Sequence, residues 1–139
     1  MDKALNYLAL ARKAGRIELG EEPVGSAARA QHARLVVVAQ DASDHTWRRA
    51  KSFVAGTGQQ CVKIPFSKEE MGLAVGRTSL AIACFTDTAL ALAFLKALPQ
   101  PDAAALEDLQ SRTKRVQQRQ AEEKAHQRNK KLGRSKRKK

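Results

Sequence analysis

Apolar and polar positions follow two periods along the first hundred residues, and the switches between them mark the elements. Leu5, Leu8 and Ala9 share one face of a helical segment that Asp2 can cap and Gly15 can end, which predicts a first helix running to Ala14. Arg16-Ile17-Glu18-Leu19 reads as a short extended piece. Gly20 breaks it, and a second helix is predicted to start near Glu21, with Pro23 admissible only in its first turn. Arg34-Leu35-Val36-Val37-Val38-Ala39 is an apolar, β-branched run, the pattern of a strand buried on both faces.

Asp41 and Ser43 offer caps for a third helix, with Trp47, Ala50 and Val54 facing inward and Arg48, Arg49 and Lys51 outward. Gly56-Thr57-Gly58 turns the chain into a strand at Cys61-Val62-Lys63-Ile64. Ser67-Lys68-Glu69-Glu70 is a capping box and opens a fourth helix that ends around Gly76. Leu80–Phe85 is the last predicted strand. Thr86 is the expected cap of a fifth helix carrying Leu90, Leu92, Phe94 and Leu95, and Pro99 stops it. Strands separated by helices call for helices on both faces of a sheet. The expected fold class is therefore α/β: a single three-layer α-β-α sandwich around a four-stranded mixed sheet, with a basic C-terminal extension. The expected division is a domain over residues 1–98 and a basic helical or disordered tail over 99–139.

The tail has another character. Asp102–Leu132 is rich in helix formers, but Leu106, Leu109 and Val116 are too few to pack more than its first turns. Beyond Gln117 the reading stays open between a solvated helix and a segment that orders only on a partner.

Charge sharpens that contrast. The 139 residues carry a formal net charge of +12. Met1–Gln100 holds 13 Lys/Arg against 9 Asp/Glu, and Pro101–Lys139 holds 13 against 5. Arg134, Lys136, Arg137, Lys138 and Lys139 crowd the end and are candidates for non-specific phosphate contacts. Nucleic acid, RNA in particular, is the partner this asymmetry favours. The apolar stretch Tyr7–Ala11 is too short for a signal peptide and is followed by Arg12 and Lys13, and no run of about 18 apolar residues exists to span a membrane. Cys61 and Cys84 read as core thiols, so a cytoplasmic location is the default expectation.

Enzyme templates find little support. Gly56-Thr57-Gly58 follows a helix and precedes a strand, the reverse of a phosphate-cradling loop. His32, His45 and His126 show no metal-ligand spacing, and no GxSxG nucleophile motif is present. The expectation is no catalytic residue, no metal and no cofactor. Glu21 and Glu22 project about 100° apart on a helix, which does not suit a paired acid and base. Acids at a helix N-terminus are favourably placed against its dipole, and they can also accept hydrogen bonds from base amino and imino groups. Glu22, Ser26 and Arg29 form a polar stripe on the second helix, opposite Val24, Ala27 and Ala28, and Lys13 and Arg16 precede it closely in sequence.

The stretch from Ala14 to Ala27, with Gly15, Gly20, Glu21-Glu22-Pro23 and Gly25-Ser26, followed by Ala33–Ser43, resembles the kink-turn-binding ribosomal proteins of the L-seven-Ae and L-thirty-e type, and within them the short bacterial YlxQ-like branch. Ile64-Pro65-Phe66-Ser67-Lys68-Glu69-Glu70-Met71-Gly72 matches that family's strand-to-helix joint, and Gly76 stands before the last strand. The resemblance covers roughly Asp2 to Leu98. It implies an α-β-α sandwich that binds sharply bent RNA with the residues opening the second helix, helped by a loop before the last strand. Carried over, Gly20 lets RNA approach the backbone, Glu21 and Glu22 occupy the base-reading turn, and Ser26 lies one helical turn on. Known kink-turn binders have Asn then Glu where this chain has Glu22 and Pro23, and Lys where it has Ser26. An ionised Glu only accepts hydrogen bonds, and Pro has no amide to donate. Lys13, Arg16, Arg29 and Arg77 are the candidate substitutes for the missing cation.

The resulting expectation is a non-enzymatic, monomeric RNA-binding protein, ribosome- or translation-associated, reading kink-turn-like or otherwise bent RNA. The alternative is an interaction module that docks a translation or transcription factor, with the tail binding polyanions non-specifically.

Overall fold

In the computed structural model, which describes residues 2–137 with side chains through residue 127, the chain runs α1 (Lys3–Ala14), β1 (Ile17–Leu19), α2 (Glu21–Arg29), β2 (Leu35–Ala39), α3 (Asp44–Val54), β3 (Cys61–Ile64), α4 (Lys68–Ala74), β4 (Ile82–Phe85), α5 (Thr88–Lys96) and α6 (Ala103–Arg137). Local chemistry sets most of these limits. Asp2 Oδ1 accepts from the Ala4 amide at 2.8 Å and starts α1, and Gly15, left-handed at φ 67°, ends it. Ser43 caps α3 through the Thr46 amide. Ser67 and Glu70 close a full capping box on α4 at 3.1 and 3.0 Å. Asp41, an expected cap candidate for α3, instead accepts from the Lys68 amide at 2.8 Å and ties the end of β2 to α4.

The sheet order is β1-β4-β2-β3. β4 is antiparallel to both neighbours, and β3 is parallel to β2. All five residues of β2 are buried. Its two-residue period sends Leu35, Val37 and Ala39 into one core and Val36 and Val38 into the other. The larger core lies under α1, α4, α5 and the first turns of α6, where the Phe85 and Phe94 rings sit 5.1 Å apart. The smaller core lies under α2 and α3, with Val24, Ala27, Ala28 and Ala50 buried and Trp47 and Phe53 half-buried at its rim. The molecule is thus the expected α-β-α sandwich around a four-stranded mixed sheet.

Two local expectations are corrected. Asp87, not Thr86, caps α5, accepting from the Leu90 amide at 2.9 Å. The Thr86 amide donates to the Arg16 carbonyl and so is occupied at the strand edge. In α1, Ala4 and Ala11 are fully buried while Ala9 is only half-buried, because the sheet-facing stripe is centred on Leu8. The backbone beyond Gln117 is helical: α6 continues unbroken to Arg137. Ala105 and Leu109 are fully buried, so its first turns complete the larger core, while Val116 is 43% exposed.

Gln59 is the one buried polar side chain among the described residues. Its Oε1 accepts from the Ala33 amide and its Nε2 donates to the Ala28 carbonyl, both at 3.0 Å. It thereby holds the exit of α2 against the entry to β3. Gln59→Leu strands the Ala33 amide at a cost of about 1–3 kcal/mol, while the Ala28 carbonyl keeps its bond from the Gln31 amide. Urea unfolding is expected to show a lower midpoint with an unchanged slope.

Candidate nucleic-acid interface

The strand directions gather one set of loops at one end of the sheet. β1, β2 and β3 finish there, and β4 begins there. The Gly20 amide donates to the Ile82 carbonyl at 2.9 Å, the Ala39 amide to Ala81 at 2.9 Å, and the Gln40 amide to Phe66 at 2.9 Å. These bonds hold the start of α2, the turn before α3, the start of α4 and the segment before β4 side by side.

Gly20 sits at φ 97° and ψ 162°, a region essentially reserved for glycine. It precedes α2 without a side-chain cap. The first amides of a helix have no partner within it, and Pro23 has no amide at all, so Glu21 and Glu22 supply the donors at this end. The two carboxylates differ in setting. Glu21 accepts from Thr46 Oγ1 at 3.3 Å and lies 3.4 Å from Arg49 Nε, whose guanidinium also stands 5.3 Å from the centre of the Phe53 ring. Glu21 therefore links α2 to α3. Glu22 is exposed on the outer side of α2, and Ser26 and Arg29 follow it along the same stripe, with Arg29 Nη2 3.5 Å from Ser26 Oγ. Gly25 is buried, and a Cβ there would stand 3.1 Å from the Phe53 ring, so its lack of a side chain lets α2 pack closely on α3.

Arg77 is exposed in the segment before β4, at the same end of the sheet as Gly20. That segment lies directly on α4: a Cβ on Gly72 would be 2.7 Å from the Ser79 nitrogen and 2.9 Å from the Arg77 oxygen. Leu73, 73% exposed, lines a shallow groove there with Glu69, Gly76, Arg77 and Thr78. Sequence reasoning missed Leu73, although the phase was available. Met71, Ala74 and Val75 at helical spacing face the core, which turns Leu73 outward.

Arg16 and Lys13 are not beside Glu22, despite their closeness in sequence. Arg16 lies at the opposite end of β1, about 10 Å away for a three-residue strand. Lys13 is on α1, which covers the other face of the sheet. A groove of about 490 Å³ runs along β1 and α2 from the Arg16 end as far as Pro23. Arg16, Glu18, Pro23, Ser26, His32 and Arg34 are among its lining residues, and His32 and Arg34 were not anticipated. Arg134, Lys136 and Arg137 belong to the backbone of α6, but their side chains lie outside the described residues, as do Lys138 and Lys139 altogether.

A family model described as "Ribosomal protein L7Ae/L30e/S12e/Gadd45 family" matches residues 2–93. The chain belongs to that family. A relative, "RNA-binding protein YlxQ" of Enterococcus faecium, is 33% identical over 75 residues, covering 54% of this chain and 72% of the relative. A Bacillus halodurans protein of unknown function shares the fold at a TM-score of 0.66 and 21% identity, over 72% of this chain and all of its own. The "Giardia lamblia 15.5kD RNA binding protein" superposes at 0.58 and 20% identity, over 76% of this chain and 85% of its own.

No group of three or more His, Cys, Asp or Glu capable of holding a metal ion occurs among the described residues of this L7Ae-family chain, and no described helix is long and apolar enough to cross a membrane. Cys84 is buried in the core under α2 and α3, and half-buried Cys61 packs against it. Burial pushes the Cys61 thiol up to about 12 against the opposing pull of Lys51, and burial pushes Cys84 up to about 12 with the Glu18 carboxylate adding to it.

Gly20→Ala forces a side chain into the backbone region described above, at a cost of about 1–3 kcal/mol. Thermal unfolding is the readout, with Glu21→Gln as the comparison: its partly exposed pair is worth less than about 1 kcal/mol. The thiols predict a pH effect of definite sign. Folded-state pKa values near 12 exceed the ordinary 9.0, so their contribution to stability is full below about pH 9 and is lost as pH rises toward 12. Native protein at pH 8 should alkylate slowly with iodoacetamide, and Cys61→Ala/Cys84→Ala should flatten the alkaline loss of stability.

Proposed function

We propose that this chain is a non-enzymatic, cytoplasmic RNA-binding protein, ribosome- or translation-associated, that recognises kink-turn-like or otherwise bent RNA with the end of the sheet where α2 begins. Family membership and the relative named for RNA binding support the RNA partner. The observation that carries the reading is the Gly20 turn: a bare backbone at the mouth of α2, fixed by the bond to Ile82, with an exposed carboxylate next to it.

Each element has a chemical task in this reading. Without a Cβ at Gly20, a base edge can approach the backbone closely. The amides of Glu21 and Glu22 offer donors, and the Glu22 carboxylate offers an acceptor to amino and imino groups that bent RNA exposes. Because Glu21 is engaged by Thr46 and Arg49, Glu22 is the free reader of the pair. Arg77, in the segment before β4, and Arg29, in the last turn of α2, serve as phosphate contacts, which position RNA and carry little sequence information. The groove past Ser26 to Arg16 gives the backbone a path along α2.

Exposed Leu73 favours one other reading, in which α4 docks a translation or transcription factor. Retention of a protein partner after nuclease treatment, lost in Leu73→Ser, would support that reading over RNA.

Titration of the full chain with a kink-turn duplex and with a straight duplex of equal length tests the proposal. The expected preference for the bent RNA is about tenfold or more, equivalent to about 1.4 kcal/mol. Equal affinity would overturn it, as would amide resonances of residues 20–29 that stay still while only C-terminal signals move. Glu22→Lys is expected to change the order of preference across an RNA panel more than the mean affinity.

A further inference from the structure

We infer that the far end of the sheet carries a second RNA contact, an arginine groove between β2 and α6 that grips the phosphate backbone of the same RNA; this rests on the RNA-binding reading above. Arg34, Thr88, Arg112, Arg115, Val116 and Arg119 line this groove of about 180 Å³. Arg112, Arg115 and Arg119 are spaced three and four residues apart, so they stand on one face of α6. Arg34 comes from the start of β2, at the end of the sheet opposite Gly20.

The groove is partly pre-set. Arg112 Nε bonds to Asp108 Oδ2 at 2.8 Å, and its Nη2 donates to the Gly58 carbonyl at 3.1 Å, which pins α6 to the turn before β3. Asp108 is thereby engaged. Arg34, Arg115 and Arg119 form no ion pair among the described residues. Like charges held together repel one another, so the cluster is most stable with an anion between them.

Two features favour RNA phosphates over a single small anion or an acidic polypeptide. Arg34 also lines the groove that runs from Pro23 past Ser26 along α2, so the two grooves adjoin at Arg34 and lie in line from the first turn of α2 to α6. The cations here are all arginine, whose planar fork matches phosphate bidentately. Val116 is the sole large apolar side chain in the lining, which leaves a peptide partner little to anchor on. Beyond the groove the charge continues: Gln120–Lys139 holds 9 Lys/Arg against 2 Asp/Glu.

The test is the salt dependence of binding of the full chain to the kink-turn duplex. Arg115→Gln/Arg119→Gln removes two exposed cations while keeping good helix formers. Lys3→Gln/Lys96→Gln removes two cations from a separate groove between α1 and α5. The first variant is expected to lower the slope of log K against log salt by about 1.8, at about 0.9 per duplex phosphate contact, and the second to leave it unchanged. No change in the first variant, or an equal drop in both, overturns the groove as a built site. Displacement of the RNA by polyglutamate as effectively as by unrelated RNA, through the same two arginines, would reassign the groove to acidic polypeptides and overturn the inference. The bent-over-straight preference reads the α2 end independently. If it is absent from the wild-type protein while the slope still falls in Arg115→Gln/Arg119→Gln, the recognition proposal fails and the arginine groove stands.

Discussion

The two-sided burial of β2 is the constraint on which the rest depends. Each of its residues, Leu35 to Ala39, is fully removed from solvent. A strand in that position needs strands on both edges and helices on both faces, because every exposed side would leave apolar surface or backbone groups in water. β4 and β3 supply the edges, α2 and α3 one face, and α1, α4, α5 and the start of α6 the other. Polar chemistry is then confined to the ends of the sheet and the outer faces of the helices.

Those two ends differ in character. At one, a glycine with no side chain, two carboxylates and the turn of Arg77 surround the start of α2. At the other, Arg16, Arg34 and the arginines of α6 gather around the starts of β1 and β2 and the end of β4. The first end offers directional donors and acceptors, suited to reading base edges; the second offers charge, suited to holding phosphate. Local stability is distributed to match. The Gly20 turn is fixed by its hydrogen bond to Ile82, and Glu21 is spent on joining α2 to α3, so the exposed Glu22 stands on a supported helix rather than on a free loop.

Much of the fold was legible because its signals are local. The capping box at Ser67 and Glu70, the stop at Gly15 and the apolar run Leu35–Ala39 act within a few residues, and each produced the element expected of it. The errors occurred where two local signals competed. Thr86 and Asp87 are both capping residues, and strand pairing with Arg16 took the first. Asp41 and Ser43 both suit the start of α3, and contact with α4 drew Asp41 away. Within the candidate site, the outward phase of Glu22, Ser26 and Arg29 followed from helical periodicity alone.

The sequence by itself determined the order of helices and strands, their caps and the outward stripe of α2, since hydrophobic period and capping chemistry operate over one or two turns. Only the tertiary structure decided which charges meet. Pairing of β1 along β4 holds Arg16 at the end of the sheet away from Glu22, and packing of α6 on the larger core brings Arg112, Arg115 and Arg119 to Arg34 across a long stretch of chain. Strand order and helix docking are set by the summed burial of surfaces distant in sequence, so no short segment encodes them.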